Sequence, residues 1–570
     1  MKDNSLSLER KKLQEQGECP SWFSSGGWQM FKQRYLYEAA TPKEQYQRIA
    51  STLAKHIDVY PEWWEQHYSG KTWNDVFFDI LWSGHLSPST PILSNCGTNR
   101  GLIVSCAGNY IEDNVYSFYD KLKENAILTQ EGFGTATYLG NIRSRGSKIS
   151  RGGKASGVLP VLKSYVQMSR DISQGSNRRG AWAGYIEITH GDFDEVCDFL
   201  IEMPDDVNIG WIITDAFRDK MLIDKDKEYI RRWGKMLKTK LTTGKGYLLY
   251  IDKVNRKVPQ MYKDRGMKVT CSQLCIEIAL FNDAMHTFTC VLSSPNAANF
   301  RTWPEKLCFI STVFLDCVVS EFLIKAKSVK GLEEAVRFTE KSRALGLGIM
   351  GLSTLFQKER VAFGSLESMY LQNEVMTKYQ EESDDASKWM AAVLGEPEWC
   401  KGYGFRNTHR RAIAPTKSTA LIMGGVSEGI NIDPAATFTQ TTAAGELDRI
   451  SPVLLEVMKE RGVYNKATVQ DIVENLGSVQ HVTWLDEHEK LVFRNAFETD
   501  QKAILRLAAQ RQRKIDQMQS LNLWFDGSED EGYIGEVMLE ALLDEDIHSV
   551  YYAYSRRGVS ASKGECLACQ

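Results

Sequence analysis

The chain has 570 residues, 43% of them hydrophobic, and a formal net charge of −4. That is enough apolar material for a sizeable core, with room for roughly four average domains or one large barrel with attachments. The slight acidity excludes a global basic field for nucleic acid, the apolar runs read as too short for the ~20 residues of a membrane span, and the polar Met1–Gln16 stretch is no secretory signal.

Twelve cysteines are few for a disulfide scaffold of this length. A reducing, cytoplasmic setting is expected, where a working disulfide is transient and catalytic. The nine histidines show no HExxH-like spacing, so no metal site is expected.

Residues 1–80 read as a small, mainly helical N-terminal region, with aromatics through Trp22–Tyr37 and a helix near Pro42–His56. Leu86–Arg100 carries two prolines and small hydroxyls and reads as turn-rich. Gly101–Tyr110 reads as a strand holding Ser105 and Cys106, and Tyr116–Gln130 has helical spacing. From Gly132 to Gly157 glycines are dense, with Arg143, Arg145, Lys148 and Arg151 among them. Ser173–Ala181, S-Q-G-S-N-R-R-G-A, is a second such loop. Glycine lets backbone approach a ligand and arginine offers forked donors to phosphate, so the two loops together point to an anion or nucleotide site. Either loop alone reads more often as a solvated turn.

Cys271–Leu280, C-S-Q-L-C-I-E-I-A-L, places an amide (Gln273), a thiol (Cys275) and a carboxylate (Glu277) at alternate positions. In an extended segment residues two apart share a face. The pattern predicts a reactive comb backed by Leu274, Ile276 and Ile278; a half-buried strand with one buried cysteine is the plainer alternative. Cys290 follows in Thr287–Ser293. Gly346–Gly351, G-L-G-I-M-G, matches the dinucleotide fingerprint by letter but follows a charged helical stretch, so tight packing is expected instead. In Arg411–Pro434, a proline and then Thr416, Lys417, Ser418 and Thr419 precede an apolar run. This reads as a helix start, either simply capped or able to bind phosphate. Residues 450–525 read as helices, including Ala503–Leu521, and 533–550 as another. Tyr551 and Tyr552 come next, and the tail ends in C-L-A-C-Q, with Cys566 and Cys569 forming the one CxxC. Termini of this composition are usually mobile. A mobile dithiol makes sense if it reduces a disulfide formed deeper in the protein, by thiolate attack through a mixed disulfide. The residues therefore point to a thiol-dependent reduction of a phosphorylated substrate and leave the reduced bond open.

These motifs, in this order, resemble the large, catalytic (alpha) subunit of class I ribonucleotide reductase. The resemblance runs from about residue 80 to the C-terminus. It rests on S-T-P-I-L-S-N, V-S-C-A-G, the two glycine-arginine loops, S-Q-L-C-I-E-I, T-C-V-L-S, A-P-T-K-S-T, the tyrosine pair and the C-terminal dithiol. It implies an α/β fold: a ten-stranded α/β barrel over 81–550 with the comb on a central finger loop, and residues 551–570 as relay tyrosines and redox tail. Cys275 would carry the transient thiyl radical, with Glu277 as base and Gln273 as hydrogen-bonding partner. Cys106 and Cys290 would supply the reducing electrons, and Cys566 and Cys569 would reopen their disulfide and be recharged by thioredoxin or glutaredoxin. Tyr551 and Tyr552 would be a stacked relay from a separate metal-containing small (beta) subunit, which requires a bent backbone at the pair. Substrate, a ribonucleoside diphosphate, would sit on Thr90, Ser105, Arg179 and Thr416–Thr419, including Lys417 and Ser418. Asp113, Arg143, Arg151, Ser173 and Gln174 would serve an allosteric dNTP or ATP effector, with Mg2+, at a homodimer interface built by helices such as Tyr116–Gln130. No cofactor bound covalently, no metal in this chain, no membrane and no nucleic-acid partner are expected.

Two departures stand out. Gln273 replaces the family's usual asparagine, setting the amide one methylene further out. Only about 80 residues precede the first motif, so specificity control is expected without a dATP switch-off through an N-terminal ATP cone. The rival readings are a class II, adenosylcobalamin-dependent reductase, which needs no long tyrosine relay, a glycyl-radical enzyme, which lacks its four-cysteine cluster here, and a catalytically inactive nucleotide-sensing subunit.

Overall fold

The computed structural model describes the backbone of residues 2–150, 152–174, 178–442 and 445–556, and their side chains apart from 2–4, 173–174, 178–179, 439–442 and 445–448. Helices dominate the N-terminal part, and local chemistry starts them. Thr41 caps Pro42–Ala54 through Glu44 N, with proline in the first turn. Thr72 and Asp75 form a reciprocal capping box at Trp73–Trp82. Their buried faces, Tyr46, Ile49 and Leu53 with Val76, Phe77 and Ile80, join the main core.

One mixed nine-stranded sheet frames the rest. Its strands are β1 (Leu86–Pro88), β2 (Cys106–Tyr110), β3 (Gly134–Tyr138), β4 (Trp182–Glu187), β5 (Ile209–Ile213), β6 (Tyr247–Tyr250), β7 (Phe288–Pro295), β8 (Leu345–Leu347) and β9 (Ser549–Val550). β2 to β6 run parallel in sequence order. Helices Val115–Gln130, Val158–Asp171, Phe193–Glu202 and Lys227–Thr243 fall between them in the chain. β5, β6 and β7 are buried at every position, as expected of strands covered on both faces. At one seam β7 runs antiparallel to β2, and at the other β9 runs antiparallel to β6. β8 lies parallel to β7, and single parallel bridges carry on from Leu347 to Arg411 and from Ile413 to Gln519. With those two segments, and leaving aside β1, which pairs with the end of β7 on the edge opposite β8, the staves are the ten of an α/β barrel.

Several expectations change. Residues 271–280 are not a strand but a loop held inside the barrel. Ile276 has φ 64°, a left-handed conformation that breaks the alternation. The helix expected over Ala503–Leu521 stops at Gln512, because Asp516 beyond it accepts from the backbone N–H groups of Arg410 and Arg411. The helix over 533–550 is Glu531–Leu543. The strand expected from Gly101 begins at Cys106, and the glycine-rich stretch from Gly132 contains β3. Gly346 lies in β8, where a Cβ would meet Leu292 at 2.3 Å and the Cys290 sulfur at 2.9 Å, so this glycine is there for packing. One apolar run was also underread: Leu307–Ala326 is long and apolar enough to cross a membrane. It is instead a core helix, its most apolar window 78% buried, with Asp316 at its middle bound by Arg343 and Arg406.

Candidate active site

The finger loop turns at Leu274–Ile276, where Ile276 N donates to Gln273 O and Ser272 Oγ donates to Ile278 O (2.6 Å). Both halves of the barrel grip it. Tyr185 of β4 donates its hydroxyl to Gln273 O (2.6 Å). From the other half, Met518 N donates to Glu277 O, Ala279 N donates to Gln517 Oε1 and Ser520 Oγ donates to Cys275 O (2.6 Å). The comb residues do converge, but by a turn rather than by strand alternation. Gln273 and Glu277 are buried and Cys275 is half-buried.

Cys275 and Glu277 open onto a cavity that also collects Thr90, Ser105, Cys106 and Thr416–Thr419. Burial pushes the Glu277 carboxyl up to about 7, against the opposing pull of hydrogen bonds from Gln273 and from Ser520, whose Oγ lies 3.1 Å away. Cys106 and Cys290, 184 positions apart in sequence, are direct cross-strand partners in the β2–β7 pair, and both are thiols. Such partners have Cα atoms about 4.5–5.5 Å apart, inside the range a disulfide spans. Each sulfur has a side-chain amide beside it: Gln273 Nε2 at 3.6 Å from Cys106 and Gln517 Nε2 at 3.9 Å from Cys290. Burial raises the Cys290 thiol well above its ordinary range, with the Gln517 contact opposing. On the cavity's far wall Ser105 Oγ donates to Ser89 Oγ, Tyr35 and Thr90 hydroxyls lie 3.2 Å apart, and Thr416 precedes the short helix Lys417–Ile422 with φ 57°. Thr416 Oγ1 accepts from Gly429 N, which fixes this turn.

A second cavity of about 550 Å3 lies between Asp113–Leu122, Ile142–Arg143, Ile149–Ser150 and Ala155–Tyr165. Arg143 reaches it paired with Asp113. Arg145, by contrast, is taken up by a two-pronged pair with Glu195. Arg151 lies outside the described residues, as do Cys566 and Cys569. Ser173–Gln174 pairs with Arg178–Arg179 as a short antiparallel ladder, and the side chains there are not described.

Tyr551 and Tyr552 sit in the break between β9 and a short strand, Ala553–Ser555. The break brings the adjacent rings together, centroids 4.2 Å apart and planes at 54°, so the pair is tilted rather than stacked. Tyr247 of β6 touches both rings, with its hydroxyl 3.4 Å from that of Tyr552.

The family model "Ribonucleotide reductase, barrel domain" matches residues 104–230, 224–402 and 397–553, and "Ribonucleotide reductase, all-alpha domain" matches 21–101. The chain belongs to the ribonucleotide reductase large-subunit family. It is 30% identical to a ribonucleoside-diphosphate reductase large subunit of Frog virus 3 over 86% of this chain and 91% of that protein. It is 26% identical to that of Invertebrate iridescent virus 3 over 95% of each. Among solved structures, the Actinobacillus ureae class Id ribonucleotide reductase alpha subunit superposes with a TM-score of 0.85 at 33% identity, covering 96% of this chain and 99% of that one.

Several residues around this reductase's finger escaped sequence reasoning. Ser520, Gln517 and Tyr185 contact it from distant segments. Lys240 is fully buried and donates to Tyr551 O and Gly246 O; burial without a carboxylate partner pulls its amine down to about 7. The one local signal was Q-M-Q-S-L-N at 517–522, whose amides would be out of place on a helix's buried face. Among the described residues no group of three His, Cys, Asp or Glu side chains could hold a metal ion.

Proposed function

We propose that this chain is the catalytic subunit of a class I ribonucleoside-diphosphate reductase, forming 2′-deoxyribonucleotides for DNA synthesis. The observation that carries the reading is the meeting, at one cavity, of a half-buried thiol, a carboxylate poised near neutrality and one member of a cross-strand thiol pair. Cys275 sulfur, as a thiyl radical, takes the ribose 3′ hydrogen. Glu277 accepts the 3′ hydroxyl proton, a role suited to a carboxyl whose pKa lies near the working pH. Cys106 and Cys290 give two electrons, their sulfurs join, the 2′ C–O bond breaks and the oxygen leaves as water. Finally the 3′ hydrogen returns from Cys275, so the radical is conserved and one disulfide is formed per product. Gln273, with its amide on Cys106, orients the reducing sulfur and the substrate hydroxyls. Substrate phosphates rest on the Thr90 and Thr416–Thr419 helix starts, with Ser105 and Arg179 completing the pocket, where exposed backbone N–H groups favour anions.

The radical comes from a separate, metal-containing small subunit and travels through Tyr552 and Tyr551. Radical initiation is chemistry that ordinary side chains do not supply. Cys566 and Cys569 reopen the disulfide and pass electrons from thioredoxin or glutaredoxin, consistent with a cytoplasmic enzyme. A nucleotide effector, with Mg2+, occupies the cavity at Asp113 and Arg143, with Arg151, Ser173 and Gln174 nearby in sequence. Its volume suits a nucleotide. Val115, Tyr116 and Tyr119 expose apolar surface on the same helix, which supports a homodimer contact there.

The test is deoxycytidine diphosphate formation from CDP with dithiothreitol and an effector, with and without a class I small subunit, beside Cys275→Ser. Turnover that needs the small subunit and vanishes in the variant supports the reading. Turnover driven by adenosylcobalamin alone would replace it with class II chemistry, and tight nucleotide binding without turnover would make the chain a sensor.

A further inference from the structure

Beyond the tyrosine pair the aromatic contacts do not stop. Residues Ala553–Ser555 run parallel to Leu523–Phe525, with Tyr554 opposite Trp524. Tyr552 immediately precedes the strand that carries Tyr554. Their rings lie 5.2 Å apart at 27°, and Tyr554 lies on Trp524 at 4.1 Å and 20°. These are more nearly parallel contacts than the one between Tyr551 and Tyr552 themselves. The stack also runs outward: Tyr551 and Tyr552 are fully buried, whereas Tyr554 and Trp524 retain 9% and 8% exposure. Beyond Trp524 lies Phe497, edge-on at 5.2 Å, capped by the Arg556 guanidinium at 4.0 Å. Phenylalanine is too hard to oxidise to carry a hole, so the redox-capable run begins at Trp524.

We propose that Trp524 and Tyr554 are the outer half of the radical relay, so that the oxidising equivalent enters this chain at Trp524 and moves through Tyr554, Tyr552 and Tyr551 to Cys275. The inference rests on the reading of Tyr551 and Tyr552 as a relay. An electron leaves the Trp524 ring for the metal-centred oxidant of the small subunit, and Tyr554 refills it. Each phenol that is oxidised gives up its proton and takes one back when the next residue inward reduces it. The last donor is the Cys275 S–H. In sum one electron passes to the partner's oxidant and one proton to solvent, both drawn from that thiol, whose sulfur is left as the radical. A pair serving only to pack would tolerate phenylalanine; a redox pair would not.

The experiment uses the full chain with an active small subunit and compares Tyr551→Phe, Tyr554→Phe, Trp524→Phe and Trp524→Tyr. Turnover, small-subunit affinity and paramagnetic resonance after rapid freezing are the readouts. Tyr551→Phe is expected to abolish turnover. Tyr554→Phe and Trp524→Phe each lower it at least ~10-fold, or about 1.4 kcal/mol in barrier, at unchanged affinity, and the oxidisable Trp524→Tyr recovers it. With Tyr552→Phe blocking the inner half, a tyrosine or tryptophan radical should accumulate on this chain and disappear when Trp524→Phe and Tyr554→Phe are added. Wild-type turnover in both outer variants, with Tyr551→Phe dead, overturns the extension and leaves the inner relay standing. A loss of turnover matched by a loss of affinity assigns the pair to docking and also overturns it. An active Tyr551→Phe removes the underlying relay reading instead.

Discussion

Removing the Ser520 hydroxyl should move the acid limb of the enzyme's pH profile. Glu277 is buried and its carboxyl stands near 7, raised by desolvation and held down by donors that include Ser520, 3.1 Å from Oε2. A hydrogen bond to a charged group contributes about 1.5–3 kcal/mol. Part of it survives in the neutral acid, which can itself donate to the serine, so a net loss near 1.4 kcal/mol, or about one pKa unit, is expected. At pH 7 the ionised fraction then falls from about a half to about a tenth, and the pH-dependent part of kcat/KM for CDP by about fivefold; that part recovers by pH 9, to a plateau lowered by the loss of the same hydroxyl from Cys275 O. The assay is a pH series of initial rates for Ser520→Ala against wild type, with the small subunit saturating. If the limb does not move in Ser520→Ala, or if Glu277→Gln keeps the wild-type limb, Glu277 is not the titrating base. The same shift makes a stability statement of opposite benefit. A carboxyl whose folded pKa is raised binds its proton more tightly when folded, so its contribution is complete below the ordinary carboxyl range and is lost as pH climbs through about 7. Inactive Glu277→Gln should therefore gain on wild type between pH 5 and pH 8 by about 3 kcal/mol in urea unfolding.

Three further outcomes follow from the geometry. In a Cys566→Ser/Cys569→Ser variant, whose tail cannot exchange, one turnover without added reductant should leave a Cys106–Cys290 disulfide, found by alkylation and peptide mapping; a different pairing would contradict the cross-strand register. Arg143→Ala should weaken binding of a deoxynucleoside triphosphate effector roughly 10–100-fold by equilibrium dialysis, the worth of a charge-assisted bond, while effector-free turnover persists; unchanged affinity would move the effector elsewhere. Gln517→Leu strands the buried Ala279 N–H and Leu345 O that Gln517 now satisfies. It should destabilise by about 2 kcal/mol or more, with turnover falling further than in a core variant of equal stability, since the Cys290 sulfur loses its amide neighbour.

The chemistry of the site was legible wherever it lay in adjacent residues. Gln273, Cys275 and Glu277 announced themselves by spacing, and Thr416–Thr419 by their place before an apolar run. What failed was the backbone that delivers them. Alternation suggested a strand at 271–280, but one left-handed residue, Ile276, replaces it with a turn, and nothing local to an isoleucine signals that. Periodicity carried a helix through Leu521, whereas it ends where Asp516 is captured by amides more than a hundred positions earlier. The apolar runs read as too short for a span, yet Leu307–Ala326 is one long buried helix, and the Asp316 carboxylate at its middle is held by Arg343, Arg406 and Asn407 from distant positions. In each case the deciding partner is remote in sequence.

That remoteness has a functional consequence. A β-branched residue at positive φ is strained, and a loop with no sheet of its own has little to hold such strain. Here the loop's backbone is pinned at Gln273, Cys275, Glu277 and Ala279, by Tyr185 on one half of the barrel and by Ser520, Met518 and Gln517 on the other. The pins from 517–520 are at once part of the tenth-stave seam that leads to Tyr551, whose N–H donates to Leu521 O. The segment that holds Cys275 therefore also holds Tyr551. On the proposed mechanism, a radical delivered over aromatic contacts and a thiol that must meet both it and the substrate need one common reference, and residues 517–521 would supply it.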